Sequence, residues 1–109
     1  MMATMSLNIE KKKKLVSIII PVFNEQENIE HTFKALQKVA NTLRSYEFEF
    51  LFLDNHSTDR SFELIKQIAI NNKSVRAVRF SRNFGFQKSV LSGYRLAHGD
   101  AAIQIDADL

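Results

Sequence analysis

The sequence predicts an α/β fold built on a parallel sheet. Two observations carry this. Four short apolar runs recur along the chain, and between successive runs lie longer stretches whose apolar residues repeat at helical spacing. Each of those stretches is long enough for the right-handed crossover that parallel neighbours require.

Residues 15–21 form the first run, continuous and β-branched as in a strand covered on both faces, with Pro21 ending its ladder. Asn24 is then placed to cap a helix reaching about residue 44, with Glu25 and Glu27 in the first turn and Ile29, Phe33, Leu36, Ala40 and Leu43 on its apolar stripe. The second strand is residues 48–53. Thr58 or Asp59 caps the next helix, whose stripe is Phe62, Ile65, Ile68 and Ala69 and whose end is Asn71-Asn72. Residues 75–80 are the third strand and 81–85 a turn. Phe86, Val90, Tyr94 and Ala97 stripe the third helix, and Gly99 is expected to terminate it in a left-handed conformation. The fourth strand begins at Ala101 and ends in Asp106-Ala107-Asp108.

In open parallel sheets, ligands bind beyond the carboxyl ends of the strands, where the strand order reverses. Here those ends carry Pro21-Val22-Phe23-Asn24-Glu25, Asp54-Asn55-His56-Ser57, Ser81-Arg82-Asn83 and Asp106-Ala107-Asp108. Every polar cluster with chemical potential therefore falls on one edge. A carboxylate pair on a rigid strand end suits a hard divalent cation, which prefers oxygen ligands. No glycine-rich phosphate loop of the dinucleotide or P-loop type is present, so phosphates would be neutralised by a metal at Asp106 and Asp108 or by Arg82 and Lys88.

Composition narrows the class further. The 109 residues are 45% hydrophobic, enough for a single core. Cysteine is absent, which excludes disulfides, thiolate metal sites and a cysteine nucleophile. The net charge of +3 resides in Lys11, Lys12, Lys13, Lys14 and Glu10, and residues 15–109 are neutral. Residues 1–14 are read as a disordered basic leader. No aromatic residue interleaves with its lysines, so nucleic acid is not an expected partner. The apolar stretch after the lysines is broken by Ser17 and Pro21 and lacks a small-residue cleavage site, unlike a signal peptide. No run approaches the roughly 18 apolar residues of a membrane span, and a cytoplasmic location is expected.

These motifs, in their order, resemble the family 2 glycosyltransferases. The resemblance rests on Val16-Ser17-Ile18-Ile19-Ile20-Pro21-Val22-Phe23-Asn24-Glu25, Asp54-Asn55-His56-Ser57-Thr58-Asp59, Arg82-Asn83-Phe84-Gly85, and Gly99-Asp100 leading to Ile105-Asp106-Ala107-Asp108. It covers residues 15–109 and is greatest to the polyprenyl-phosphate sugar transferases, such as dolichyl-phosphate mannosyltransferase. It implies the Rossmann-like GT-A fold, a UDP- or GDP-sugar donor, Mg²⁺ or Mn²⁺, and a lipid-phosphate acceptor that receives the sugar with inversion.

By the same resemblance, Pro21, Phe23, Asn24 and Glu25 would line the nucleoside pocket and Asp54 would hold the base or ribose. Asp106, Ala107 and Asp108 would bracket the ribose and the metal-bound diphosphate. The family usually carries Asp-Asp-Gly-Ser where this chain has Asp54-Asn55-His56-Ser57. Asn55 could accept from a base through its carbonyl oxygen or donate through its amide nitrogen, and His tolerates a left-handed backbone better than most residues.

The resemblance further implies a donor-binding N-terminal part whose parent sits at the cytoplasmic face of a membrane, without a catalytic base in residues 15–109 and with an apolar fourth-strand edge open to pairing. Plainer roles stand beside these. Asp54 could serve only as a capping side chain and Glu25 only as helix-terminal charge. His31 and His98 are expected on the surface, and Phe23 alone of the phenylalanines faces a ligand. A receiver-type module with Asp54 as phosphoacceptor is the rival reading.

Overall fold

The computed structural model describes residues 12–108. Its elements are β1 (Lys14–Val22), α1 (Ile29–Thr42), β2 (Tyr46–Asp54), α2 (Ser61–Asn71), β3 (Val75–Arg79), α3 (Phe86–Leu96) and β4 (Ala101–Gln104). The leader expected over residues 1–14 lies outside the described residues save for Lys12, Lys13 and Lys14, and Lys14 already pairs with Tyr46. No helix among the described residues is long and apolar enough to cross a membrane.

All the strands run parallel, in the order β3-β2-β1-β4. The chain winds outward through β1, β2 and β3, then returns over the opposite face to place β4 beside β1. The order reverses between those two strands. The alternating side chains of β1 feed the two faces. Ile18, Ile20 and Val22 pack with Phe50 and Phe52 beneath Ile29 and Phe33 of α1 and Ile65 of α2, while Ile19 packs with Leu51 and Leu53 on the face that α3 covers. Phe33 meets Phe50 edge-on, with ring centroids 5.3 Å apart. Burying such a ring contributes roughly 1.5–3 kcal/mol.

Pro21 ends only half of its ladder. It stays within β1, level with Leu53, and Val22 still accepts from Asn55 N at 2.8 Å. On the other side, Ile19 O accepts from Ile105 N at 2.9 Å, and the next rung would need an N–H from residue 21. Proline has none, so pairing with β4 stops there and the two strand ends are free to part.

Several expected boundaries move. The first helix begins at Ile29 rather than beside Asn24, because Asn24 adopts φ 52°, a left-handed conformation that cannot serve as a helix cap. The third helix is rotated from its expected phase: Phe86 and Tyr94 are exposed, and Ser89 and Gly93 are the buried positions. Gly93 faces the sheet so closely that a Cβ there would lie 2.4 Å from Ile19 Cγ2. Gly99 is not a left-handed terminator either. The helix ends through extended Ala97, and Gly99 is required by close approach, since a Cβ would lie 2.8 Å from Ser17 N.

At the amino ends of the strands, Glu49 ties the returning chain to the sheet. It accepts from Ser17 Oγ, from His98 N at 2.7 Å and from Arg76 Nη2 at 3.2 Å. Burial works against its ionisation, but these hydrogen bonds and the nearby guanidinium outweigh it and hold the Glu49 carboxyl below its ordinary value. His31 and the ring of His98 are exposed, as expected.

Candidate functional site

The loops after β1 and β2 form one wall, laced by hydrogen bonds between polar side chains and backbone. Asn24 N donates to Ser57 Oγ at 2.8 Å and Glu25 N to Ser61 Oγ at 2.8 Å. Asn24 Oδ1 in turn accepts from Thr58 N at 2.8 Å and Asp59 N at 3.3 Å, and Gln26 Oε1 accepts from Arg60 N at 2.9 Å. Asp59 Oδ1 accepts from Ser61 N at 2.8 Å at the start of α2, near the expected cap, while Arg60 at the cap position makes no side-chain capping bond and pairs instead with Glu63 at 3.2 Å. Slight burial opposes ionisation of Asp59, but bonds from Ser61 and Gln26 outweigh it and keep the carboxyl below its ordinary value. His56 at φ 64° places Nδ1 3.1 Å from Phe80 O, joining this wall to the end of β3.

Beside the wall, at the reversal between β1 and β4, lies a cleft of about 420 Å³. It brings together Pro21, Phe23, Glu25, Asn55, Asp106, Ala107 and Asp108, all of them expected at the site, with Val22, Asn83, Gly85 and Phe86. Thr32 Oγ1 of α1 donates to Ala107 O at 2.6 Å, both residues buried, which holds the loop bearing the two carboxylates against the core. Gln104 Nε2 donates to Asp106 Oδ1 at 2.9 Å.

Four expected contacts, Asp54, Asn24, Arg82 and Lys88, do not line this cleft. Asp54 is fully buried: Oδ1 accepts from Ser57 Oγ at 2.6 Å, Oδ2 from Ser57 N at 3.1 Å, and Arg79 Nε stands 3.4 Å from Oδ2. That is the capping-type role, and it also denies a phosphodonor access to the carboxylate, so the receiver reading does not hold. The Asn24 side chain is turned into the wall. Arg82 lies over the Phe84 ring, 4.3 Å from its centroid, and Lys88 borders a separate groove with Phe84 and Arg95. Reading from sequence missed Asn83, Gly85 and Phe86 as lining residues, although the polar run after β3 already marked that strand end. Phe86, exposed in the cleft, joins Phe23 as a second aromatic open to a ligand.

The cleft is acidic. Glu25, Asp106 and Asp108 line it, and among the described residues no Lys or Arg does. No group of three or more metal-ligating side chains occurs among the described residues. The two aspartates nonetheless suit a hard cation that keeps its remaining positions for water and ligand oxygens, the habit of Mg²⁺ and Mn²⁺. The donor chemistry thus fits such a metal.

An open parallel sheet with a cleft at its reversal point is the arrangement in which α/β domains bind ligands. Residues 17–109 match glycosyl transferase family 2, and the chain belongs to that family. It is 38% identical over 93 residues to an uncharacterised glycosyltransferase of Bacillus subtilis, covering 85% of this chain and 28% of that protein. It is 37% identical over 94 residues to a prophage bactoprenol glucosyl transferase homolog of Escherichia coli, covering 86% and 30%. The chain thus spans under a third of the length of these relatives. Among solved structures, a Pyrobaculum calidifontis mannosyltransferase in complex with GDP-Man and Mn²⁺ superposes with a TM-score of 0.77 at 20% identity, covering 97% of this chain and 33% of that one. GalNAc-T7 with UDP, GalNAc and Mn²⁺ gives 0.75 at 25%, covering 88% and 18%. The fold is the GT-A glycosyltransferase fold.

Proposed function

We propose that this chain is the donor-binding part of a glycosyltransferase that takes a sugar from a nucleoside diphosphate sugar and transfers it, with inversion, to a polyprenyl phosphate. One observation supports this above the others: Asp106 and Asp108 face the same cleft as Phe23 and Asn55, and among the described residues no basic side chain lines that cleft. A diphosphate entering it needs a cation, and a flat base needs an apolar face and a polar reader. The relatives named for bactoprenol glucosyl transfer support the lipid acceptor.

Asp106 and Asp108 would hold the divalent metal, and Phe23 would carry the base. When bound, the metal offsets the negative charge that builds on the leaving diphosphate. The reaction joins a phosphate oxygen of the acceptor to the sugar's anomeric carbon. The bond from that carbon to the diphosphate breaks, and its electron pair leaves on the diphosphate. A phosphate monoester is largely ionised at neutral pH, with a second pKa of about 6, so its oxygen attacks without a strong base. The whole enzyme would meet its acceptor at the cytoplasmic face of a membrane.

Titration calorimetry of this chain with UDP, GDP and TDP tests the reading. Binding with Mn²⁺ that disappears in EDTA, and in Asp106→Asn and Asp108→Asn, is expected. Absence of binding by every nucleotide in Mn²⁺ would overturn it.

A further inference from the structure

Between Glu63 and Asp100 the chain carries no carboxylate side chain. Of the cations in its second half, Arg76 and Arg79 are engaged by Glu49 and Asp54, whereas Arg82, Lys88 and Arg95 meet no carboxylate among the described residues. Lys88 and Arg95 rim a groove of about 310 Å³, separate from the cleft and floored by Phe80, Phe84 and Leu91. Arg82 lies over the Phe84 ring of that floor. Helical geometry turns this groove outward. Ser89 and Gly93 are the buried positions of α3, and Leu91 and Arg95 follow each of them by two positions, about 200° around the helix. Lys88, Leu91, Ser92 and Arg95 therefore make one outward stripe at helical spacing, with Leu91 49% exposed between two cations.

We infer that this face of α3 docks on an anionic membrane surface, with Leu91 entering the boundary between headgroups and acyl chains and Arg82, Lys88 and Arg95 meeting lipid phosphates. Charge complementarity selects this occupant. A second copy of the chain would bring the same cations to the groove and be repelled. Stacking of a nucleic-acid base is disfavoured because the guanidinium of Arg82 already covers a face of Phe84. The position suits the chemistry next door: Phe84 floors the groove, and the two residues that follow it, Gly85 and Phe86, line the cleft. Docking this face sets the mouth of the cleft beside the leaflet. The inference goes beyond the proposed function and stands or falls apart from it, since vesicle binding needs no nucleotide.

The chain lacks tryptophan, so a single introduced one reports its own surroundings. Leu91→Trp places the reporter at the groove, and Val39→Trp places it on α1, at a position 58% exposed on the opposite face of the sheet. Each is mixed with vesicles of phosphatidylcholine alone and of phosphatidylcholine and phosphatidylglycerol in equal parts. Binding to the mixed vesicles only, weakened by salt, is expected, with the emission of Leu91→Trp moving to the blue and that of Val39→Trp staying in place. Neutralising the rim in the double variant Lys88→Gln with Arg95→Gln should weaken partition about thirtyfold. The lysines at 11–14 attract the same lipid by charge alone and would not immerse Leu91. No binding to the mixed vesicles, binding in which the Leu91→Trp emission is unmoved or the Val39→Trp emission moves as far, or partition unchanged by the double variant overturns the inference. None of these results bears on nucleotide binding in the cleft, which calorimetry reads separately.

Discussion

Thr32 on α1 donates its hydroxyl to the carbonyl of Ala107, between the two cleft carboxylates, at 2.6 Å. A helix on one face of the sheet thus fixes the backbone of the residues proposed to hold the metal. Thr32→Val keeps the volume and leaves the Ala107 carbonyl without this donor. The expected cost is about 1–3 kcal/mol of stability, with weaker Mn²⁺-dependent nucleotide binding in protein that still folds. Paired thermal melts and calorimetry check this; unaltered affinity would show that the loop holds its shape without Thr32.

Asn24 does two jobs, and two substitutions separate them. Asn24→Gly keeps the left-handed backbone and loses the bonds to Thr58 and Asp59, costing about 1–2 kcal/mol. Asn24→Ala adds the steric penalty of a Cβ at φ 52°, a further ~1 kcal/mol. Urea unfolding should therefore rank wild type above Asn24→Gly and that above Asn24→Ala.

Gly93 and Gly99 are both places of close approach, against different neighbours. At Gly93 a Cβ meets the methyls of Ile19 and Leu53, which can shift, so Gly93→Ala should cost about 1–3 kcal/mol through overpacking. At Gly99 it meets Ser17 N at 2.8 Å and Ala101 O at 2.7 Å, backbone atoms of two paired strands. Gly99→Ala should destabilise more, as measured by the midpoint of denaturant unfolding.

The Glu49 cluster makes stability depend on acid. Its carboxyl is held below its ordinary value in the folded chain, so the stabilisation it gives is complete above about 4.5 and is lost as pH falls through the lower folded value. Asp59, also lowered, contributes in the same direction. Melting temperatures recorded from pH 7 to pH 3 should fall at the acid end. Glu49→Gln should begin lower at neutral pH and fall less steeply.

The strands were legible in the sequence because short apolar runs such as Val16-Ser17-Ile18-Ile19-Ile20 need only local patterning to be recognised. The place of the carboxylates at 106 and 108 was legible for a related reason: β4, though it ends at Gln104, delivers the loop that bears them to the edge of the sheet. Polar residues in the loops were not separable in that way. Asn24, Asp54 and Asn55 are chemically similar and stand at equivalent strand ends, yet Asn24 holds a wall, Asp54 is enclosed beneath it, and only Asn55 reaches the cleft. Which does which depends on partners more than 20 positions away, such as Phe84 for Asn55 and Arg79 for Asp54. The phase of α3 escaped for another reason. Periodicity finds side chains that seek burial, whereas this helix docks through Gly93, where the absence of a side chain allows contact with Ile19.

Pro21 has a wider consequence. If β1 and β4 are the two sides of a zipper, the proline nitrogen is its end stop, set one rung beyond Ile19 by an atom that is missing rather than present. The point at which the two strands part is therefore written into covalent structure. Loop residues around it can change identity while the opening stays in register with the sheet.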